Sequence, residues 1–356
     1  MANLRRAAVG TAILIAVAAT SWEARAADPL DELGKQRVVI TAARAPGPLP
    51  LAPDDTAWNG VESSEVTLYP QTSVTPGAGG DMRATIIKVS VLYGEADMAV
   101  RLEWPDATQS LARGVGVFPD AAAVQVPFTL DKRIALPYIG MGNPGAPVEI
   151  NFWRASGTVE TLHAEGFGSA TVQQTQMAAA GQRWDGGSWR VVIKRPLDVV
   201  SAKAKSSLAR LGLAPLSVAV WDGATGQRNG AKRLSSWIFV RFSGIALDER
   251  YASSLAWRPK GDPERGRAVM DEAGCAACHT YPGSPPQPGT APDLTFAGGI
   301  HHPSYLRESI TNPSAFIVPG AAYHTIEGKR KVSVMPVPGL TDAQIGQVVD
   351  FLLTLR

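Results

Sequence analysis

Ala84-Thr85-Ile86-Ile87-Lys88-Val89-Ser90-Val91-Leu92 is the stretch that decides how most of this chain folds. Thr85, Ile87, Val89 and Val91 fall on one face, and Ile86, Lys88 and Ser90 on the other. That period of two marks a strand with one buried side. Similar runs lie on both sides of it, bounded by Gly, Pro and Asp: Glu65–Tyr69, Met98–Trp104, Ala122–Phe128, Val148–Trp153, Trp189–Lys194, Leu216–Trp221 and Ser235–Phe242. About eight short strands at such spacing predict a β-sandwich over residues 62–247. Ala202–Arg210 (AKAKSSLAR) reads as one helical insertion within it. Residues 27–61, which include Ala45-Pro46-Gly47-Pro48-Leu49-Pro50, read as an extended leading segment draped over the surface.

The texture changes over residues 248–260, read as a linker. Asp262-Pro263 then starts a helix, because the Asp side chain can cap free N–H groups and Pro suits the first helical position. That helix stops at Gly274. A second helix fits Pro303–Ile310, and a third runs from Thr341-Asp342 to Leu355, with Ile345, Val348, Val349 and Leu352 at helical spacing. A small all-α domain is thus predicted over residues 261–356.

Between the first two of these helices stands Cys275-Ala276-Ala277-Cys278-His279, the attachment pattern of c-type haem. Two thiols at this spacing reach the two vinyl groups of one porphyrin, and the adjacent imidazole is held beneath the iron. A bare CxxC can also be a thioredoxin-like pair or half of a zinc site. The first needs a βαβ context, and the second needs more cysteines than the two present. The sixth ligand is expected at Met335, in Val334-Met335-Pro336 before the last helix. His301, His302 and His324 are its rivals. Together with Thr311-Asn312-Pro313 and Leu340-Thr341-Asp342, this region resembles class I cytochrome c. Methionine ligation raises the haem potential and suits one-electron relay.

Residues 1–26 read as a signal peptide cleaved near Ala26. Arg5 and Arg6 precede an apolar run from Ala7 to Thr20, and Ala24-Arg25-Ala26 supplies the small-x-small site. That run is short for a membrane span, which takes roughly 20 residues, so an uncleaved anchor is the weaker reading. Export to the periplasm also fits haem c attachment. The full chain has 34 basic and 32 acidic residues, and removal of Arg5, Arg6, Arg25 and Glu23 leaves 31 of each. A neutral mature chain argues against nucleic acid or an anionic membrane as partner.

Further wording comes from residues 60–245. In order, it reads Val91-Leu92-Tyr93-Gly94, Ala99-Val100-Arg101-Leu102-Glu103-Trp104-Pro105-Asp106, Ile139-Gly140-Met141-Gly142-Asn143, Val218-Ala219-Val220-Trp221-Asp222-Gly223, Arg228-Asn229-Gly230-Ala231-Lys232 and Ser235-Ser236-Trp237. This resembles the haem b γ subunit of ethylbenzene dehydrogenase and of dimethylsulfide dehydrogenase, selenate and chlorate reductases. The resemblance implies a β-sandwich that holds one non-covalent haem b between Met141 and Lys232; Lys194 fits the lysine position less well. It also implies a molybdopterin catalytic subunit and an iron–sulfur subunit as partners. A cytochrome c domain behind the sandwich departs from the usual γ subunit. The fused chain would relay electrons between that complex and a soluble cytochrome or other carrier. No catalytic residue is identified. Two other functions stand beside this one. A stand-alone oxidase- or peroxidase-like haem enzyme would need a labile axial site. A carbohydrate-binding module fused to a cytochrome would need exposed Trp58, Trp184 or Trp257.

Overall fold

The structure is a computed structural model and describes residues 28–71, 83–130, 135–200, 205–257, 261–287, 289 and 291–356. The signal-peptide reading lies outside the described residues. Strand β1 (Val39–Arg44) is followed by β2 (Ser64–Pro70), β3 (Thr85–Tyr93), β4 (Asp97–Pro105), β5 (Ala121–Pro127), β6 (Val148–Arg154), β7 (Thr158–Ala164) and β8 (Thr171–Val172). Then come β9 (Ala179–Trp184), β10 (Ser188–Pro196), β11 (Asp198–Val200), β12 (Lys205–Ser207), β13 (Leu213–Trp221), β14 (Arg233–Leu234) and β15 (Ile238–Phe242).

These strands form a sandwich. One layer runs β8-β7-β6-β5-β13 and the other β2-β3-β4-β10-β9, with β14 joining β13 to β2 at one side. Strands β1 and β15 extend that closure along the same side: β15 continues the β14 pairing along β13, and β1 pairs in parallel with both β15 and β3. Between the layers, Trp153 of β6 meets Trp104 of β4 at 6.1 Å and Trp189 of β10 at 5.3 Å between ring centroids. All three rings are buried. Large rings bury more apolar surface per residue than aliphatic side chains do. The buried Asp120 pins the adjoining loops, accepting hydrogen bonds from Trp189 Nε1, Ser110 N and Gly223 N.

In β3, Ile87, Val89 and Val91 are buried while Ile86 and Lys88 are exposed, as the alternation predicts. From Ser90 onward both faces are covered. The cause is the leading segment, from which Trp58, Leu49 and Val61 pack over Leu92, Ala99 and Val192. That part of the segment lies across the sheet. The preceding residues differ from expectation, because Val39–Arg44 is a strand inside the sandwich. A second difference concerns AKAKSSLAR. Its described part forms β12, paired with β11, and a turn in which Leu208 and Ala209 are buried. Burial of these apolar residues overrides the helical propensity of the lysine-rich stretch.

The region read as a linker holds a helix. Helix α1 (Pro29–Gly34) packs on α2 (Glu249–Leu255), whose Asp248 cap accepts from Tyr251 N and whose Tyr251, Ala252 and Leu255 are buried. The helical domain follows, with α3 (Pro263–Glu272), α4 (Ala297–Ile300), α5 (Pro303–Thr311) and α6 (Asp342–Leu352). Asp262 caps α3 and Thr341 closes a capping box with Gln344 on α6. A hairpin of β16 (His324–Glu327) and β17 (Arg330–Ser333) stands between α5 and α6. Val269, Met270, Tyr281, Leu306, Val348, Val349 and Leu352 form the core of this domain. Among the described residues, no helix is long and apolar enough to cross a membrane.

Candidate functional site

Two sites stand out, one in each domain. In the helical domain, α3 delivers the chain through Gly274, in the left-handed conformation, into a single 3-10 turn at Cys275–Ala277. Both Cys278 N and His279 N donate to Cys275 O, at 3.2 and 3.0 Å. This tight turn sets the two thiols and the imidazole on one short stretch. His279 Nδ1 donates to Pro292 O at 2.8 Å, which leaves Nε2 as the free ring nitrogen. Burial lowers the His279 pKa and so favours the neutral, metal-binding ring. Cys275 is half-buried and Cys278 exposed, and the thiols are not joined to each other. Met335 is half-buried directly after the β16–β17 hairpin, its N–H held by Ser333 Oγ at 3.1 Å.

The rival histidines sit in three different settings. His302 caps α5, with Nδ1 against Ser304, and its Nε2 lies 3.1 Å from Leu255 O. His301 is buried against Tyr138 and Tyr305. His324 opens β16 and pairs with Ser333.

In the sandwich, the outer face of the β5–β13 layer carries a cavity of about 660 Å³. Met141 and Lys232 both line it, together with Gln125, Ile150, Phe152, Trp221 and Leu234. Lys194 does not. A space of this size suits a ligand of drug or cofactor dimensions. Met141 sits at φ 78°, in a region that non-glycine residues rarely adopt. The turn that holds it there is tightly bonded: Gly142 N donates to Tyr138 O at 2.8 Å, Gly166 N to Met141 O at 2.8 Å, and Tyr138 N to Asn143 Oδ1 at 2.9 Å. A strained residue so firmly over-determined points to a functional position. Neighbouring Gly140 has no room for a side chain, since a Cβ there would lie 2.5 Å from Phe167 and from Tyr138.

Lys232 is held just before β14, where Gln71 N donates to its carbonyl at 3.0 Å. Its Nζ lies 5.1 Å from the Trp221 ring centroid, and Trp221 Nε1 is fixed by Asn229 O at 3.1 Å. Burial alone pulls the amine pKa from 10.5 down to about 8, with no acidic neighbour among the described residues to offset it. A half-buried amine in such a setting is unusual for lysine. Arg113, Arg154 and Arg228 also line the cavity. A soft thioether, an amine that loses its proton readily, apolar walls and cationic groups together fit a haem with its acidic side chains. Sequence reasoning had no access to the left-handed backbone at Met141, to the arginines or to the Trp221 contact, because these depend on the folded turn and sheet.

The fold and the two sites define a class, that of a β-sandwich with a haem-sized cavity joined to a cytochrome c. Comparison with known proteins agrees. Residues 55–180 match the ethylbenzene dehydrogenase family, and residues 263–356 match cytochrome c. A Haloferax mediterranei protein named as a respiratory nitrate reductase haem subunit is 33% identical over 213 residues, covering 60% of this chain and 75% of its own length. Chlorate reductase subunit gamma of Ideonella dechloratans is 29% identical, covering 67% of this chain and 97% of its own. Dimethylsulfide dehydrogenase subunit gamma of Rhodovulum sulfidophilum is 29% identical, covering 54% and 76%. Among solved structures, a family 9 carbohydrate-binding module of Caldicellulosiruptor kristjanssonii in complex with cellotriose aligns at TM-score 0.35 and 10% identity, over 59% of this chain and 95% of its own. A likeness that loose carries no argument.

This chain belongs to the ethylbenzene dehydrogenase family of haem subunits, with a cytochrome c domain fused behind the family's sandwich. It is an electron-transfer haem subunit, and its cofactors are one covalent haem c and one haem b.

Proposed function

We propose that this chain is a periplasmic dihaem relay that carries electrons between a molybdopterin oxidoreductase complex and a soluble or membrane-associated carrier. The carrying observation is that Met141 and Lys232 line one cavity in the family's sandwich. In this reading Met141 Sδ and Lys232 Nζ would hold the iron of haem b. Arg113 and Arg228 would neutralise its propionates, while Arg154 is already paired with Glu160 at 2.6 Å. Cys275 and Cys278 would hold haem c by thioethers, and His279 Nε2 and Met335 Sδ would bind its iron. When bound, the haems supply reversible one-electron storage. The protein's own part is to supply the ligand side chains and hold them in place before binding. Pro292 O holds the His279 ring, and the bonded turn at Tyr138–Asn143 holds Met141.

The partners by this reading are a molybdopterin catalytic subunit and an iron–sulfur subunit, supported by the gamma subunits among its relatives. The export signal in residues 1–26 supports the periplasm. Two alternatives find less support. Trp58 is buried, and Trp184 and Trp257 are only partly exposed, so none of the three is the fully exposed ring that a sugar platform asks for. An oxidase or peroxidase needs an open axial site, whereas in this reading two ligands would fill each site.

Exposure of the reduced holoprotein to carbon monoxide tests the relay reading. The spectrum is expected to stay unchanged at both haems. Rapid CO binding at either one would contradict it. Purification from native periplasm is expected to recover molybdenum with the chain.

A further inference from the structure

We infer that the cytochrome c domain is locked against the sandwich, and that Tyr138 with the segment Phe316–Tyr323 forms a fixed electron bridge between the two haem sites. This rests on the site assignments above and goes beyond them, because a fused cytochrome can equally be a swinging domain on a tether.

The lock is built from the leading segment. Arg37 is buried, and its guanidinium donates to Gly298 O at 3.0 Å and His301 O at 2.8 Å, both in the helical domain. Next to it, Gln36 exchanges two hydrogen bonds with the backbone of Trp257, at 2.5 and 2.9 Å, and Trp257 Nε1 donates to Asp350 at 2.7 Å. Opposite these, Gly299 lies so close to Tyr69 of β2 that a Cβ would stand 2.6 Å from its ring. Separation of the domains would strip a buried cation of both carbonyl partners and wet this apolar contact. Charge-assisted hydrogen bonds keep a net advantage over water, and wetting an apolar contact costs in proportion to its area.

The bridge runs between the sites. Phe167 lines the haem b cavity and touches Tyr138 at 5.8 Å between centroids. Tyr138 in turn meets two rings of the helical domain, Phe316 at 4.3 Å and Tyr305 at 4.8 Å. Three residues after Phe316, Pro319 lines the same cavity directly. The segment then reaches Tyr323, which is buried and whose carbonyl accepts from Val334 N at 3.2 Å. Val334 precedes Met335. One short segment thus has one end on the haem b cavity and the other hydrogen-bonded beside the haem c methionine. Electron tunnelling falls steeply with distance and more steeply across gaps, so contiguous packing favours this route. The step is a simple exchange: ferrous iron at one site becomes ferric as ferric iron at the other becomes ferrous, with no bond or proton moved.

The test uses the full-length holoprotein, with haem b and haem c first quantified by pyridine haemochrome. Interhaem electron transfer after flash photoreduction is then followed in rising sucrose. The expected rate is independent of viscosity, and Arg37→Met is expected to make it viscosity-dependent while both haem spectra persist. Phe316→Ala combined with Tyr138→Leu is expected to slow the step by an order of magnitude. Pro319→Asp is expected to lower the haem b midpoint potential and leave that of haem c in place, which reads the wall contact without kinetics. A wild-type rate that falls in proportion to viscosity overturns the lock. A double variant with both haems intact and a wild-type rate overturns the bridge alone. Absence of haem b from the wild-type protein overturns the site assignment and the bridge with it.

Discussion

Cys275 to His279 are consecutive residues on one turn, whereas Met141 and Lys232 come from separate segments that only the folded sandwich brings to one cavity. The first site is a covalent trap whose attachment chemistry lies in its own stretch of chain, with only Met335 called from further along. The second depends on a strained turn, a tryptophan beneath an amine and a cavity between them. A local site survives much distortion of its surroundings, while a distributed one fails when its scaffold shifts. Substitutions can exploit that difference.

The largest effect is expected at the local site. His279→Ala is expected to abolish mature haem c, read as loss of haem staining on a denaturing gel; persistent staining would show that this stretch is not the attachment site. At the distributed site, Met141→Ala or Lys232→Ala should each remove the b-type bands and leave the c-type bands. If both bands survive in both variants, these ligands are wrong. Gly140→Ala probes the scaffold without touching a ligand. Its Cβ overpacks Phe167 and Tyr138, which costs about 1–3 kcal/mol, and haem b content should drop while haem c remains.

Acid should separate the domains before it unfolds either one. Burial pushes His301 to about 3 and His302 to about 4, both below the ordinary 6.5 of an accessible imidazole. A folded value below the unfolded one means stability that is present above about 6.5 and drains away as the pH falls toward the folded values. Limited proteolysis is therefore expected to cut between the domains progressively below about pH 6, and His301→Phe should delay that onset. An interface equally resistant at pH 7 and pH 4.5 would contradict this. The smallest effect is expected from Thr341→Ala, which removes the α6 capping box at about 1 kcal/mol and leaves both spectra alone. Chemical denaturation followed at the c-type band checks it.

Much of the molecule is legible in its amino-acid sequence. Ile87, Val89 and Val91 face the core as their alternation requires, and Asp262 and Thr341 cap the helices they precede. Two segments mislead for a physical reason. Val39–Arg44 looks like leader because a parallel strand between β15 and β3 is specified by its neighbours, not by its own short pattern. AKAKSSLAR has helical composition, yet Leu208 and Ala209 gain more from burial than the lysines gain from a helix. The haem c stretch is plain because its chemistry is contiguous. For haem b, the residues alone do not lift Met141 and Lys232 above any other methionine and lysine. That needs the family's wording, and the features that single them out, the left-handed turn and the easily deprotonated amine, exist only in the fold.

One chain is expected to hold two haems in two different ways. Acid–acetone extraction of the purified holoprotein, with pyridine haemochrome on both fractions, measures this directly. Equal amounts are predicted, haem b in the organic phase and haem c left on the polypeptide. A polypeptide that keeps all its haem, or releases all of it, would contradict the claim.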